Sequence, residues 1–323
     1  MISSPYKIAI VIPAYKVASH IVRVVSRIPK DYLIFIVDDC CPEKSGELIE
    51  KEFSSSSNIY ITYNSINLGV GGAVLEGYKA ALRHHADIIV KIDGDGQMDS
   101  SKIPRLISPI ISGDADYSKG NRFFNLDNIN RMPKIRIFGN AVLSFVTKFS
   151  SGYWNIFDPT NGFTAIHSDV AKLLPFTKIS KRYFFESDML FRLNIMRAVV
   201  VDVPLDAQYG DEKSNLVIKK VIPLFLYKNF TNFLKRLFYS YYLRDISIGS
   251  FELPMGLLLF IGGGFFGLFN WHLSQIAGVN TPVGTVMLAA LPILMGLQLL
   301  LAFIAQDIQT VPRKSIHKFY KTA

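Results

Sequence analysis

The feature that most constrains the fold of this chain is a long uncharged segment near its C-terminus. Between Glu252 and Asp307 there is no Asp, Glu, Lys or Arg. Two apolar segments lie there, roughly Leu253–Trp271 and Val283–Ala305, and each has the length of a helix that crosses a hydrocarbon core of about 30 Å. The sequence therefore predicts two transmembrane helices. The alternative is a buried helical hairpin in a soluble core, but soluble domains rarely continue so far without a charge.

The positions of lysine and arginine predict how these helices are oriented. The tail "PRKSIHKFYK" and the segment before the first span are basic, whereas the connecting loop "HLSQIAGVNTP" has no Lys or Arg. By the positive-inside rule, both ends are expected on the cytoplasmic side. The start, "MISSPYKIAIVIPAY", lacks the basic region and the sustained apolar run of a signal peptide. The prediction is a multi-pass protein of the cell (inner) membrane, with its N-terminal part in the cytosol.

The net charge of +9 is distributed unevenly along the chain. Residues 219–244 read "KKVIPLFLYKNFTNFLKRLFYSYYLR", with six basic residues, many aromatic residues and no acid. Such a composition suits an amphipathic stretch that lies in an anionic headgroup layer. A nucleic-acid patch is the rival interpretation, but the apolar segments directly downstream favour the membrane and no nucleic acid. The adjacent cysteines, Cys40 and Cys41, match neither an ordinary disulfide nor a metal spacing.

The first two-thirds of the chain alternates strand-like and helix-like patterns. The strand-like runs are "YKIAIVIP", "LIFIVDD", "NIYITYN" and "ADIIVKID", and a helical pattern follows each of them. Repeated strand-helix units predict an α/β domain with a mostly parallel, Rossmann-like sheet and helices on both faces. Ligands of such sheets bind outside the carboxyl ends of the strands.

Candidate ligand-binding residues, most of them polar, lie at the ends of four successive predicted strands at this edge. They are Pro13-Ala14-Tyr15, Asp38-Asp39, Asn67 and, in "KIDGDGQMD", Asp93 and Asp95. Like charges as close as Asp93 and Asp95 are tolerated in water or around a cation. A solvated turn is the alternative, since Asp and Gly are common in turns. The gathering of acids at one edge favours the cation site.

The segment "NLGVGGAV" resembles a dinucleotide-binding fingerprint, because it follows a strand and opens a helix. That fingerprint requires a small third residue, where this chain has Val74, and it belongs after the first strand of a nucleotide-binding half rather than the third. The pattern therefore argues against NAD binding.

The ordered motifs "VIPAY", "VDD", "NLGVGGAVLEGYKAA", "DGDGQ", "GNR", "DPTNGF" and "FFESDML" resemble those of family 2 glycosyltransferases with the GT-A fold. With two C-terminal spans, the chain most resembles the polyprenyl-phosphate glycosyltransferases, a group similar to dolichol-phosphate mannose synthase. The motifs cover residues 8 to about 216, and the spans extend the resemblance to nearly the whole chain.

The resemblance implies a site for a nucleotide sugar and a divalent cation. Asp95 and the amide oxygen of Gln97 would be protein ligands of Mg²⁺ or Mn²⁺, hard cations that take oxygen ligands and bridge phosphates. Asp95 would thereby also be catalytic, because the metal acts as a Lewis acid on the departing diphosphate. The residues implied in binding the nucleotide sugar are Pro13, Ala14, Tyr15, Asp38, Asp39, Asn67, Gly69 and Asp93.

The resemblance also implies an acceptor side. Asp158 in "DPTNGF" would be a catalytic residue that positions the acceptor or stabilises the developing sugar cation; a cap or turn role is the alternative. Arg122 and Arg136 would clamp the acceptor phosphate, since the planar arginine fork suits phosphate; solvated surface positions are the alternative. Glu186 and Asp188 match a position where many family members keep a base, or they simply cap a helix.

The resemblance also implies a segment that binds the donor diphosphate. In relatives the segment corresponding to "YGDEKSNL" closes over the diphosphate, and Lys213 is the candidate there for a residue that grips the donor, because an arginine common near Tyr209 is missing.

The function predicted from these features is transfer of one sugar from a UDP- or GDP-sugar to a polyprenyl phosphate, such as undecaprenyl or dolichyl phosphate, with inversion. The alternatives are a family 2 enzyme that extends a glycan at a sugar hydroxyl, and a non-catalytic membrane scaffold. A homo-oligomer is left open. The predicted divisions are a cytosolic GT-A domain (1–216), amphipathic juxtamembrane helices (217–250), two transmembrane helices (251–308) and a basic cytosolic tail (309–323).

Overall fold

The computed structural model describes residues 6–124, 134–205 and 218–320. The chain divides into two compact units, one formed by Met1–Phe233 together with Pro312–Ala323, and the other by Leu234–Val311. The motif "YGDEKSNL", with Tyr209 and Lys213, and the predicted boundary at residue 216 lie outside the described residues.

The first unit is built on a seven-stranded sheet in the order β3-β2-β1-β4-β6-β5-β7. Its strands are β1 (Ile8–Ala14), β2 (Leu33–Asp38), β3 (Ile59–Tyr63), β4 (Ile88–Lys91), β5 (Tyr117–Asn121), β6 (Thr164–His167) and β7 (Val200–Pro204). Neighbouring strands are parallel except that β6 runs antiparallel to both β4 and β5. The mostly parallel sheet predicted from the sequence is therefore confirmed.

The helices of the described chain follow the predicted alternation. They are α1 (Ala18–Ser26), α2 (Ser45–Glu52), α3 (Val70–Arg83), α4 (Ile103–Ile111), α5 (Lys134–Ser151), α6 (Ser168–Leu173), α7 (Phe185–Ile195), α8 (Ile218–Phe238), α9 (Gly249–Ala277), α10 (Val283–Gln309) and α11 (His317–Tyr320). Short 3₁₀ turns occupy Ser100–Lys102 and Phe176–Lys178, and a π-helical segment occupies Tyr239–Arg244.

The core of the first unit explains why the central strands are almost purely apolar. Side chains on both faces of β1, such as Ile10 and Val11, are fully buried, as expected for a parallel strand covered by helices on both sides. Helix α1 contributes Ile21 and Val25 to the core. Helix α3 approaches β1 so closely at Gly77 that an added Cβ would overlap the Val11 side chain.

The C-terminal tail belongs to the first unit, where it packs beside β5 and β6. Asp116, completely buried, accepts hydrogen bonds from the backbone N–H groups of Ile316 (3.0 Å) and His317 (3.0 Å). The Nδ1 atom of His317 lies 2.7 Å from the Asp116 carboxylate, and its ring stacks on His167 with centroids 4.3 Å apart. The tail is thus fixed by a buried carboxylate.

The second unit is dominated by helices α9 and α10, which pack closely against each other. A Cβ on Gly256 would lie 3.2 Å from the carbonyl oxygen of Gly296, so small residues permit this approach. Near one end, the buried Asp307 accepts two hydrogen bonds from Arg236 (2.7 and 3.0 Å) and one from the Tyr241 hydroxyl (2.7 Å). The ion pair between Arg236 and Asp307 thus lets two buried charges satisfy each other.

Among the described residues, two helices are long and apolar enough to cross a membrane, and these are α9 and α10. Only 11% and 17% of their apolar windows are buried within the structure. A hairpin in a soluble core would be mostly buried, so this exposure argues against that alternative. Helix α9 extends beyond the predicted span at both ends, whereas α10 begins at the predicted residue, Val283, and continues four residues past the predicted end to Gln309.

Candidate active site

The sheet topology brings distant parts of the sequence to one edge. Strands β1, β2, β4 and β5 all end at this edge, because they run parallel to one another. Strand β6 runs the opposite way, and its first residue, Thr164, pairs with both Lys91 and Lys119. The residues that precede β6, including Asp158 and Asn161, therefore arrive at the edge where β4 and β5 end.

A pocket of about 460 Å³ lies at this edge. Its lining residues are Pro13, Ala14, Tyr15, Val17, Asp39, Asn67, Gly69, Val70, Ala73, Asp93, Gly94, Asp95, Arg182 and Tyr183. All the residues predicted to bind the nucleotide sugar line this pocket except Asp38, and Asp95 lines it too. Gln97, Arg122 and Asp158 are not among the lining residues, and Arg182 and Tyr183 were not predicted.

The neighbouring acids Asp38 and Asp39 have different surroundings. The two carboxylate oxygens of Asp38 accept hydrogen bonds from the N–H groups of Cys41 (2.7 Å) and Gly46 (2.7 Å), and its side chain is buried. These bonds organise the loop after β2 and the first turn of α2. These bonds give Asp38 a structural role, and it is not among the residues that line the pocket. Its contact with the nucleotide stays a prediction.

Asp39 holds the segment that leads into α3. Its carboxylate accepts hydrogen bonds from the N–H groups of Leu68 (2.9 Å) and Gly69 (2.7 Å) and from the side chain of Asn64 (2.8 Å). Gly69 has a φ of +84°, a conformation that glycine adopts without strain. Asp39 therefore shapes the wall of the pocket as well as lining it.

A fully buried lysine supports the Asp93 side of the pocket. The Lys91 Nζ atom lies 2.9 Å from Asp93 and 3.2 Å from Glu186, and the Lys91 side chain is 1% exposed. Burial alone would lower the pKa of the Lys91 ammonium, but the carboxylates of Asp93 and Glu186 outweigh burial and raise it. The sequence contained a signal for this site, because a lysine inside the apolar run "ADIIVKID" needs a buried partner.

Asp95 lies on the turn that follows β4. Its Oδ1 atom accepts a hydrogen bond from the N–H of Gln97 (3.0 Å), and Gly96 between them has a φ of +80°. This local bond fixes the turn and leaves Asp95 part-exposed at the pocket. Over the described ranges, no group of three or more His, Cys, Asp or Glu side chains is arranged to hold a metal ion.

The predicted acceptor residues Arg122 and Asp158 form a bidentate ion pair. Arg122 donates from Nε (2.8 Å) and Nη2 (3.0 Å) to the Asp158 carboxylate, and its backbone N–H lies 3.3 Å from the same group. Asp158 is 1% exposed, whereas the Arg122 side chain is 26% exposed. Asp158 thus orients the arginine fork. Arg136 lies in α5, and its side chain is outside the described part of the chain.

Glu186 and Asp188, the two acids for which the resemblance implies a possible role as base, both bind partners within the protein. Glu186 pairs with Lys91, as described above. Asp188 is 3% exposed and accepts hydrogen bonds from the N–H of Ser180 (2.8 Å) and from the Asn232 side chain (3.0 Å). Asp188 therefore connects the first turn of α7 to a neighbouring loop and to α8.

A second buried lysine, Lys119, lies in the middle of β5. Its Nζ donates a hydrogen bond to the carbonyl oxygen of Asn161 (2.9 Å). Burial lowers the pKa of the Lys119 ammonium to about 8, although Asp158 and Asp202 act in the opposite direction. Sequence reasoning missed this residue because its partners are all distant in the chain.

Comparison of the sequence with known proteins identifies the family to which the chain belongs. The model of glycosyl transferase family 2 matches residues 9–174 of this chain. The chain is 30% identical over 218 residues to the UDP-N-acetylglucosamine–dolichyl-phosphate N-acetylglucosaminyltransferase of Methanococcus voltae, covering 63% of this chain and 86% of the relative. It is 26% identical over 184 residues to the undecaprenyl-phosphate mannosyltransferase of Micrococcus luteus, covering 56% of this chain and 74% of that protein.

Among solved structures, the chain is similar in fold to glucosyl-3-phosphoglycerate synthase from Mycobacterium tuberculosis, in a complex with Mn²⁺, UDP and glucosyl-3-phosphoglycerate. The TM-score is 0.53 at 15% sequence identity, and the match covers 72% of this chain and 80% of that chain. At this identity the likeness supports the fold alone, and it agrees with the predicted GT-A architecture. Since the family model matches just over half of the 323 residues, the chain belongs to glycosyl transferase family 2 and is a glycosyltransferase.

Proposed function

We propose that this enzyme transfers one sugar from a nucleotide sugar to a polyprenyl phosphate at the cytoplasmic face of the membrane, with inversion at the anomeric carbon. The observation that carries the proposal is that Glu186 and Asp188 are both engaged in contacts within the protein. Both acids at the position of the family's base are held by partners inside the protein. A hydroxyl acceptor needs a positioned base, whereas a phosphate acceptor does not.

The chemistry of the acceptor explains this difference. A phosphate monoester has a second pKa near 6, as phosphorylated side chains do, so its oxygens are already anionic at neutral pH. In a direct displacement, an acceptor oxygen forms the new bond to the sugar C1 while the bond from C1 to the donor diphosphate breaks. The electron pair stays on the departing diphosphate, and no proton is transferred. Orientation of the two substrates and electrostatic stabilisation would supply most of the catalysis.

The pocket residues fit a nucleotide sugar with a divalent cation. Asp95 is a part-exposed carboxylate at the pocket, beside Asp93, and a hard cation such as Mg²⁺ or Mn²⁺ takes oxygen ligands from such groups and from substrate phosphates. Asp95 and the amide oxygen of Gln97 would hold the metal. When bound, the metal supplies charge neutralisation to the departing diphosphate. Asp93, anchored by Lys91, would contact the sugar or the ribose.

Arg122 and Arg136 are proposed to bind the acceptor phosphate. Asp158 would act by orienting the Arg122 fork, because it binds that guanidinium through two side-chain hydrogen bonds. This role differs from direct stabilisation of the sugar cation, since Asp158 is almost fully covered. The named acceptors of two relatives, dolichyl phosphate and undecaprenyl phosphate, support the choice of a lipid phosphate.

The membrane arrangement is part of the proposal. Helices α9 and α10 would span the bilayer, the basic and aromatic helix α8 would lie at its surface, and the sheet domain and tail would be cytoplasmic. The proposed divisions are residues 1–216, 217–250, 251–308 and 309–323. The tail would return to the sheet domain, in keeping with the buried contact between His317 and Asp116.

One experiment tests this function directly. Membranes containing the protein are incubated with a panel of labelled UDP- and GDP-sugars, with and without polyprenyl phosphate and Mn²⁺. We expect one nucleotide sugar to give a chloroform-soluble labelled product that requires the lipid phosphate and disappears with EDTA. A labelled product that forms without added or endogenous lipid phosphate, and that depends on a glycan acceptor, would contradict the proposal and favour the hydroxyl-acceptor alternative.

A further inference from the structure

Arg182 lines the donor pocket at a position that no motif predicted. It lies between the 3₁₀ turn Phe176–Lys178 and α7, and it is exposed at the surface of the pocket. The family model ends at residue 174, so the match does not reach this arginine.

The backbone around Arg182 is fixed against the turn that opens α3. An added Cβ on Gly69 would lie 2.8 Å from the Arg182 Cγ atom and 2.8 Å from the carbonyl oxygen of Lys181. The N–H of Gly72 donates to that same carbonyl oxygen (2.9 Å), and the N–H of Phe185 donates to the carbonyl oxygen of Arg182 (2.9 Å). The start of the arginine side chain is therefore held beside the Gly69 turn, at the wall of the pocket.

The described carboxylates that line the pocket have other partners, and none of them pairs with Arg182. Three carboxylates line the same pocket, those of Asp39, Asp93 and Asp95. Asp39 accepts hydrogen bonds from backbone N–H groups, and Asp93 is paired with Lys91. Within the described part of the chain, no hydrogen bond or ion pair engages the guanidinium of Arg182. An arginine that remains unpaired in an acidic pocket is suited to an anion that arrives with the ligand.

We propose that Arg182 binds the diphosphate of the nucleotide-sugar donor. This inference rests on the proposed function, because it concerns the donor of the same reaction. The planar guanidinium offers several N–H donors in a fixed fork that matches phosphate oxygens, and a contact with a charged group is stronger than a neutral one. Lys91 balances only Asp93 of the three carboxylates that line the pocket, so a further fixed positive charge favours binding of a diphosphate there. Arg182 supplies that charge on the side of the pocket formed by the α3 turn.

The test compares ligands that differ only in phosphate number. Purified full-length protein in detergent with Mn²⁺ is titrated calorimetrically with UDP and UMP, and with GDP and GMP. Arg182→Gln is expected to weaken binding of the diphosphate by about 10- to 100-fold and that of the monophosphate much less, since a charged hydrogen-bond partner is lost. Arg182→Lys should recover part of the loss, because it restores the charge without the fork.

Lys181→Gln is the matched control, since Lys181 is also an exposed basic residue but does not line the pocket. Its binding of all four nucleotides should stay within about twofold of the wild type, as for an ordinary surface substitution. Equal melting temperatures of the variants verify that folding is unchanged. If Arg182→Gln binds UDP and GDP as the wild type does, the role of Arg182 is refuted while the proposed function stands. If the wild type binds neither diphosphate, nor any nucleotide sugar, both are refuted together.

Discussion

The bidentate pair between Arg122 and Asp158 allows a quantitative test of what Asp158 does. The test is a double-mutant cycle with Asp158→Asn, Arg122→Gln and the double variant. Asn has nearly the size of Asp, so the change removes the charge while the buried site stays filled. The Asp158 carboxylate is 1% exposed and accepts bonds of 2.8 and 3.0 Å from the arginine fork.

The size of the coupling follows from this geometry. Hydrogen bonds to charged groups contribute about 1.5–3 kcal/mol each, but the partly exposed Arg122 regains water when its partner is lost. We therefore expect a coupling of about 2–3 kcal/mol in the free energy of unfolding. If Asp158→Asn itself loses about 2–3 kcal/mol of stability, its melting temperature falls by about 4–12 °C for a domain of this size.

The activity assay determines whether Asp158 acts through Arg122. Initial rates are measured at varied lipid phosphate with saturating nucleotide sugar, and then at varied nucleotide sugar with saturating lipid phosphate. We expect each single variant to raise the KM for lipid phosphate more than that for nucleotide sugar, and the double variant to be little worse than the poorer single one. The exposed pair of Asp169 and Lys172, at 2.8 Å, provides a control cycle with a coupling below about 1 kcal/mol. Additive losses in kcat/KM at 158 and 122, within about 0.5 kcal/mol, would refute the reasoning, because Asp158 would then contact substrate independently.

Four further predictions concern other parts of the molecule. Asp95→Asn should lose nearly all transfer, and Mn²⁺ should no longer raise its affinity for UDP in calorimetry; activity equal to the wild type would contradict a metal role. Asp188→Asn should keep substantial activity and melt at a lower temperature, since Asp188 accepts structural hydrogen bonds. Thermal unfolding should show that the wild type gains stability relative to Lys119→Met as the pH rises from about 8 to about 10.5. The reason is that the pKa of Lys119 is lowered to about 8 in the folded protein, so between these pH values the unfolded chain binds more protons than the folded one. A cysteine at position 280 should be labelled from outside intact cells, and one near the C-terminus should not.

The repeating strand-helix pattern was sufficient to predict most of the sheet domain. The runs that become β1 and β2 are buried on both faces, and such strands are recognisable as short apolar runs with turn residues at their ends. The same reasoning located the acids at the carboxyl edge, and the pocket lies there. It did not predict that β6 runs antiparallel between β4 and β5, because pairing partners far apart in sequence leave no local pattern.

The roles of individual site residues were harder to predict than their location. Asp38 and Asp39 are neighbours in sequence, yet only Asp39 lines the pocket, since backbone N–H groups of the next loop and helix bind Asp38. The partner of Lys91 in α7, Glu186, is 95 residues away. Arg182 belongs to no motif and reaches the pocket only because its loop packs on the Gly69 turn. Such long-range contacts depend on tertiary structure.

The measurement that tests the central claim most directly is the chemical structure of the product. The lipid product formed by the wild-type enzyme is purified and examined by mass spectrometry and by ³¹P and ¹H NMR. The account predicts one sugar joined through a single phosphate to the lipid, with an anomeric configuration opposite to that of the donor, and release of the free sugar by mild acid. Retention of configuration, or a bond between two sugars formed only when Asp188 is intact, would contradict it.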